Sequence, residues 1–380
     1  MIKYLFAFFF ITSSVCAQDT TRLSMMFVGD IMQHDSQIAA AYDTLTKEYD
    51  YTTCFQYVKP YLDSADLTIG NLEVTLAGSP YKGYPQFSAP DQLLATLKDV
   101  GFDVLVTANN HCADRGRKGL ERTIIMLDSF KISHTGTFAD TLDRLNDYPL
   151  LIQQKGFNLA ILNYTYGTNG MPVEKPNMVN LIDTVAISND LAKAMELNPD
   201  AIIVFMHWGS EYQSLPSKFQ KDITNFCFRR GANFVIGSHP HVLQPMEWRK
   251  ETNQFVAYSL GNFVSGQRKR YTDGGVMLKI ELEKITQSDS SSATHIANST
   301  YQLEWVYRTS GKNKKYYMLP AIEFEKILSE TVNPIEQNLQ LPLADKKSFQ
   351  LFLEDSRLLF KKHNLHVEEF NIQDSKLGVH

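Results

Sequence analysis

The sequence predicts an α/β fold, and three observations carry that expectation. From Leu23 to about Leu282, short apolar runs of β-forming residues alternate with polar or glycine-containing turns and helical stretches. Most of these runs are apolar on both faces, as strands covered on both sides must be. Polar, chemistry-bearing residues collect just beyond the runs, where ligands bind in open α/β sheets. Strands are expected at Leu23 to Val28, Asp66 to Gly70, Asp103 to Thr107, Leu159 to Tyr164, Ala201 to Met206, Asn233 to Ile236 and Phe255 to Leu260. Helical periodicity covers Asp91 to Val100, Gly119 to Phe130 and Phe219 to Arg230, with Gly101 and Gly231 standing where two of these helices stop. Tyr164 to Met178 is rich in Gly, Asn and Pro, and Lys284 to Ser299 in Ser and other polar residues, so both are expected as surface loops. Beyond them a strand is expected at Tyr301 to Tyr307, and helices at Ala321 to Glu330 and Pro342 to His363. This last region shows no internal repeat and no motif that carries chemistry.

The chain has 380 residues, of which 43% are hydrophobic and 21% charged, a globular balance that excludes fibrous and low-complexity classes. The length suits one large domain with appendages. Lys and Arg number 37 against 42 Asp and Glu, and the net charge of −5 gives no drive toward nucleic acid or acidic membranes. Lys3, the apolar run Tyr4 to Ile11 and the ending Val15-Cys16-Ala17 form a three-part export signal with cleavage expected after Ala17. The rival reading is a lipid anchor on Cys16, against which Ser13 stands where lipoprotein signals usually carry Leu. A periplasmic or extracellular location follows, and envelope association and oligomeric state stay open. Cleavage leaves Cys54, Cys112 and Cys227, an odd number, so a disulfide framework is not what holds the fold. The domain boundaries read as a leader over 1–17, a main domain over 18–310 and a small C-terminal helical extension over 311–380.

The strand ends are Gly29-Asp30-Ile31-Met32-Gln33-His34, Gly70-Asn71-Leu72-Glu73, Ala108-Asn109-Asn110-His111 with Asp114, His207-Trp208-Gly209-Ser210-Glu211, Gly237-Ser238-His239-Pro240-His241 and Gly261-Asn262-Phe263. Five of the ten histidines lie there. A divalent metal that activates water needs carboxylate, amide and imidazole donors brought from several strands to one point. Asp30 and Glu73 offer anionic oxygens, Asn110 a neutral oxygen, and His207, His239 and His241 neutral nitrogens. That mixture suits manganese, zinc or iron, as one or two ions. Pro240 stiffens the His-Pro-His segment, Gly237 is expected to give it a tight turn, and His111 is placed to protonate a leaving group.

Each motif has an ordinary structural explanation when taken alone. Gly-Asp makes a turn, Asn109 or Asn110 can cap a helix, and His207 can be a half-buried histidine bonded to carbonyls. Glu211 and Asp114 read most simply as supporting or capping carboxylates, Cys112 as a packed small residue, and His134 as either a turn residue or part of the pocket wall. Six strand ends converging on one face of one sheet outweigh these separate explanations.

These six motifs, in order, resemble the signature of the CapA family, whose members are linked to capsule and poly-gamma-glutamate synthesis. The match runs from about Leu23 to Leu282. The resemblance implies a calcineurin-like metallophosphatase fold, a four-layer αββα sandwich. It also implies a metal set of Asp30, Asn110, His207, His239 and His241, with His111 as the catalytic histidine. Two positions depart from the phosphatase pattern. Met32 stands where a histidine ligand belongs, leaving His34 as a candidate to reach inward, and Asn71 replaces the bridging aspartate, leaving that role to Glu73. Asn71, His34, Asp114, Glu211 and Asn262 are expected to support the ligands or line the pocket. Two functions are implied: a secreted metal-dependent hydrolase acting on a phosphoester or an anionic capsule-type polymer, or a non-catalytic capsule component that binds the polymer. The −5 net charge less the positive charge of Lys3 leaves −6 on the mature chain. A polyanion therefore needs a local cluster, and Arg268, Lys269 and Arg270 are the candidates; a plain solvated loop is the competing reading of that triplet.

Overall fold

The structure is a computed structural model that describes residues 19–329, 339 and 341–370. The export signal, its cleavage site and Glu330 lie outside the described residues. In chain order the strands are β1 (Asp19–Ile31), β2 (Leu67–Leu72), β3 (Val104–Val106), β4 (Ser133–Thr135), β5 (Thr137–Phe138), β6 (Leu150–Gln154), β7 (Phe157–Thr165), β8 (Met178–Val179), β9 (Ala201–His207), β10 (Phe234–Ser238), β11 (Leu243–Arg249), β12 (Gln254–Leu260), β13 (Asn262–Val264), β14 (Gly274–Thr286), β15 (Ser292–Arg308), β16 (Tyr316–Pro320) and β17 (Glu368–Glu369). One sheet has the order β16-β15-β14-β1-β2-β3-β4, with β13 also paired to β1 and β17 to β15. The second has the order β11-β12-β10-β9-β7-β6. Both are mixed: β1 to β4 run parallel, as do β7, β9, β10 and β12, while β14 to β16, β6 and β11 pair antiparallel.

Side chains alternate across each strand, and that period of two divides the apolar residues into layers. Met25 and Phe27 of β1 face Ile203 and Phe205 of β9 in the core between the sheets. Met26 and Val28 point the other way, onto Leu93, Leu94 and Leu97 of helix Gln92–Asp99. On the far side of the second sheet, Leu162 and Val204 pack against Leu191 of helix Thr184–Glu196 and Cys227 of helix Lys218–Arg229. This is the expected four-layer αββα sandwich. The three described cysteines are free and buried as packing residues.

The expected loop at Lys284 to Ser299 is instead the outer half of a long antiparallel hairpin, β14 with β15, turning between Thr286 and Ser292. Its polar residues carry no apolar alternation because this end stands largely in solvent, held by pairing of β14 to the start of β1. The region after residue 310 contains a strand, β16, as well as helices Ala321–Ser329 and Leu343–His363. Phe349, Phe352 and Phe360 of the last helix join the inter-sheet core beside Trp305 and Leu303. Residues 364 and 365 then bond to the edge strand β11. Among the described residues no helix is long and apolar enough to cross a membrane.

Candidate metal centre

Strict alternation along β1 would turn Asp30 toward the helices, since Phe27 faces the inter-sheet core and Val28 does not. A bulge prevents this. The β1–β2 register slips between Val28 and Asp30, inserting Gly29 as an extra residue, and Asp30 returns to the inter-sheet side. Only glycine fits there, because a Cβ on Gly29 would lie 2.0 Å from the Gly261 carbonyl oxygen. Met32 lies just past the end of β1, in the helix-side apolar layer, so the residue at the position where the resemblance expects a histidine is packing and not a donor.

Asp30 accepts from Asn71 Nδ2 at 2.8 Å, from the His239 backbone N–H at 3.2 Å and from His241 Nδ1 at 3.1 Å. His241 Nδ1 also lies 3.1 Å from Asn262 Oδ1, so two acceptors hold the proton on Nδ1 and leave Nε2 with its lone pair. That Nε2 is 3.9 Å from Glu73 Oε1, and His207 Nε2 is 3.6 Å from the same oxygen. His207 comes from β9 in the other sheet. Its Nε2 contacts Asn110 Oδ1 at 2.6 Å, and its Nδ1 contacts Ser238 Oγ at 3.0 Å. Donor atoms of Asp30, Glu73 and His207 lie within 4.8 Å of one another, as do those of Glu73, His239 and His241. Glu73 therefore belongs to both groups.

Glu73 is fully buried, and neither of its carboxylate oxygens has a hydrogen-bond partner; His239 Nδ1 is also buried and unpartnered. Burial, and then the Asp30 carboxylate, push the Glu73 acid well above its usual range. Burial, and then His239, hold His207 well below the usual imidazole range. Burial, and then His241, bring His239 down to about 3. These groups are desolvated donors with no positive charge among them, so their chemistry fits a divalent cation.

Gly237 has a different role from the expected tight turn. It lies inside β10, where a Cβ would meet the Tyr258 carbonyl oxygen at 2.0 Å. The turning is done by the histidines themselves: His239 and His241 have φ of 97° and 57°, on either side of Pro240. Left-handed backbone at non-glycine residues costs about 1–3 kcal/mol each and marks a segment whose shape is held for a purpose.

His111 is buried with its Nδ1 at 2.8 Å from Asp114 Oδ2, an oxygen that also accepts the Phe87 N–H. With Nδ1 engaged, Nε2 is the nitrogen left to exchange a proton. Asn109 caps no helix; its amide donates to the Leu72 carbonyl and its oxygen accepts the His111 N–H, which fixes the loop after β3. Asn71 directs its amide nitrogen at Asp30 and at His207 Nδ1, 3.2 Å away, so it braces the donors from beside them. His34 is outside both donor groups. Its ring packs edge-on against Phe87 and its Nδ1 accepts from the Gly266 N–H, and burial lowers it to about 4. Glu211 is exposed on the rim, and His134 lies on β4, paired with Asp128.

The Arg268-Lys269-Arg270 triplet does not form a free cationic cluster. Arg268 is turned inward, bonding the Gln267 and Val306 carbonyls and stacking over Tyr316, and Arg270 is paired through two nitrogens with Asp355. Only Lys269 faces the rim, its Nζ 4.0 Å from the Tyr212 ring centroid. The structure also adds Tyr166 to the wall of the cup: its ring lies 4.5 Å from that of His239, and its hydroxyl donates to Asn169. Tyr166 follows β7, a predicted strand whose end carries no carboxylate or imidazole to mark it.

The family described as bacterial capsule synthesis protein PGA_cap matches residues 24–267. The capsule biosynthesis protein CapA of Bacillus anthracis is 30% identical over 281 residues, covering 70% of this chain and 65% of that protein. The PGA biosynthesis protein CapA of Bacillus subtilis (strain 168) is 28% identical over 272 residues, covering 69% of this chain and 68% of that protein. The chain thus spans about two thirds of the length of these curated relatives. The solved structure of the NAD nucleotidase NadN of Haemophilus influenzae aligns with a TM-score of 0.46 at 14% identity, covering 90% of this chain and 68% of that one.

Proposed function

This chain belongs to the PGA_cap family of bacterial capsule synthesis proteins, and from that premise we propose that it is an exported, metal-dependent hydrolase of a phosphoester or of an amide-linked anionic polymer such as poly-gamma-glutamate. The observation that carries the reading is Glu73, a fully buried carboxylate with both oxygens unpartnered at the junction of two donor groups. A carboxylate is kept dry and unbonded at high cost unless a cation completes it. Asp30, Glu73, His207, His239 and His241 would hold the ion, with Asn110 beside them. When bound, a divalent ion supplies Lewis-acid polarisation of a phosphoryl or carbonyl oxygen and makes water acidic enough to react near neutral pH. The chain's own residues do the rest. Asp114 fixes the ring and tautomer of His111, which delivers a proton to the leaving group from Nε2. Asn262 and Asp30 aim His241, Ser238 aims His207, and Tyr166 covers one side of the cup.

The test is elemental analysis of the purified mature chain, then assays on phosphoesters and poly-gamma-glutamate with and without a chelator. Bound manganese, zinc or iron, and turnover lost in His207→Ala, support the reading. A metal-free protein, or turnover indifferent to that substitution, removes it. The second reading, a non-catalytic component that binds the polymer, is favoured by Asn71, which presents an amide nitrogen where the bridging aspartate belongs. Polymer affinity that survives Asp30→Ala and His239→Ala but falls on charge removal at Lys269, the residue of the triplet that faces the rim, would select it.

A further inference from the structure

A pocket of 250 Å³ opens where the C-terminal helix Leu343–His363 meets the loops of the cup. Ser214, Leu243 and Tyr271 form its side toward the cup, and Leu358, Leu359 and Lys362 its helix side. Each of these three stands two positions after a residue of the cup or its rim: Ser214 after Tyr212, Leu243, the first residue of β11, after His241, and Tyr271 after Lys269. The loops are also tied together. The Tyr212 N–H donates to the Pro240 carbonyl at 2.8 Å, and Gln244 Nε2 to the Gln213 carbonyl at 2.8 Å. Tyr212, His241 and Tyr271 all have left-handed backbone, with φ of 66°, 57° and 77°, in the segments that lie between the cup and the pocket. The Tyr212 ring, 6.4 Å from that of His241, carries Lys269 on its face and bridges the two.

From this geometry we propose that the pocket is the subsite for the polymer unit next to the one held in the cup, and that the unit it takes combines an aliphatic segment with a carboxylate. The inference rests on the polymer substrate proposed above and deepens it. Leu243, Leu358, Leu359 and Tyr271 offer an apolar wall for methylene groups, the kind of contact that a neutral sugar's hydroxyls cannot satisfy. The acid of the pocket, Asp355, is already neutralised by Arg270, while Lys362 forms no ion pair among the described residues. Lys269 and Lys362 thus supply ammonium groups along the path and at its end. A γ-linked glutamyl unit has this chemistry: two methylenes in its main chain and a free α-carboxylate. The 250 Å³ pocket has room for one such unit, which has about nine heavy atoms.

The test is calorimetric binding of γ-linked glutamate oligomers, from the single residue to the tetramer, to the full mature chain loaded with manganese. Affinity is expected to rise about fivefold at the length that spans from cup to pocket, an increment of about 1 kcal/mol. Lys362→Glu and Leu358→Asp should each remove that step. Both side chains are exposed, so folding is not at issue, and a thermal melt checks it. Affinity independent of length, or a step unchanged in both variants, overturns the inference. Turnover abolished by His207→Ala reads the catalytic proposal separately. A length step without turnover leaves the subsite standing while hydrolysis falls, and turnover without a length step does the reverse.

Discussion

Replacing Glu73 by Gln should make the metal-free protein at least as stable and the metal-loaded protein less so. The side chain keeps its shape, but the acid that burial and Asp30 hold without a partner is gone. At free metal about 100-fold above Kd, a ligand that binds only the native state stabilises it by about 2.7 kcal/mol. For 380 residues the unfolding entropy is about 0.8 kcal/mol per kelvin, so the wild-type chain should melt about 3.4 °C higher with metal than without. Because Glu73 belongs to both donor groups, Glu73→Gln should erase this shift rather than halve it. Differential scanning calorimetry of chelated and manganese- or zinc-loaded protein reads all four states. A variant that merely damages packing lowers both melting points. A metal shift that persists in Glu73→Gln, or a metal-free variant that melts below metal-free wild type, would refute the assignment of Glu73 as the shared ligand.

Three further perturbations follow from the same geometry. Asp114→Asn removes the carboxylate that orients His111, and turnover should fall about 100-fold while KM and metal content hold, as read by steady-state kinetics and elemental analysis. Gly29→Ala must separate β1 from the Gly261 carbonyl and should cost at least about 2 kcal/mol in denaturant unfolding, with weaker metal binding because Asp30 moves with the bulge. His34 is held neutral by burial, lowered from 6.5 to about 4, so its contribution is complete above pH 6.5 and is lost as pH falls through the window down to 4. At pH 5 that loss is about 2 kcal/mol, and His34→Gln should flatten the stability profile between pH 6.5 and 4.

Much of the sandwich can be read from the letters because buried parallel strands must be apolar on both faces, and seven such runs announce themselves. The strand-end motifs are legible as a set, since each has an ordinary structural use alone but six of them stand at the ends of strands of one fold. The hairpin of β14 and β15 was hidden for the converse reason: its outer half is solvated, so nothing selects for apolar residues there. Tyr166 was hidden because an aromatic residue after a strand resembles any core tyrosine until its ring is seen against His239. The charged triplet at 268–270 reads as one patch in one dimension, yet three consecutive side chains take three different directions: onto the Tyr316 ring, onto the Tyr212 ring and toward Asp355.

The residue types able to hold a cation, and the strands that bring them, are thus properties of the chain alone, because chemistry depends on side-chain identity and burial on local pattern. Which of those side chains share a centre is a matter of contacts between distant segments. The Gly29 bulge turns Asp30 inward, and the left-handed turns at 239 and 241 bring a loop of the second sheet over the first. No local rule specifies those turns, since each is tolerated only when the packing around it outweighs its strain.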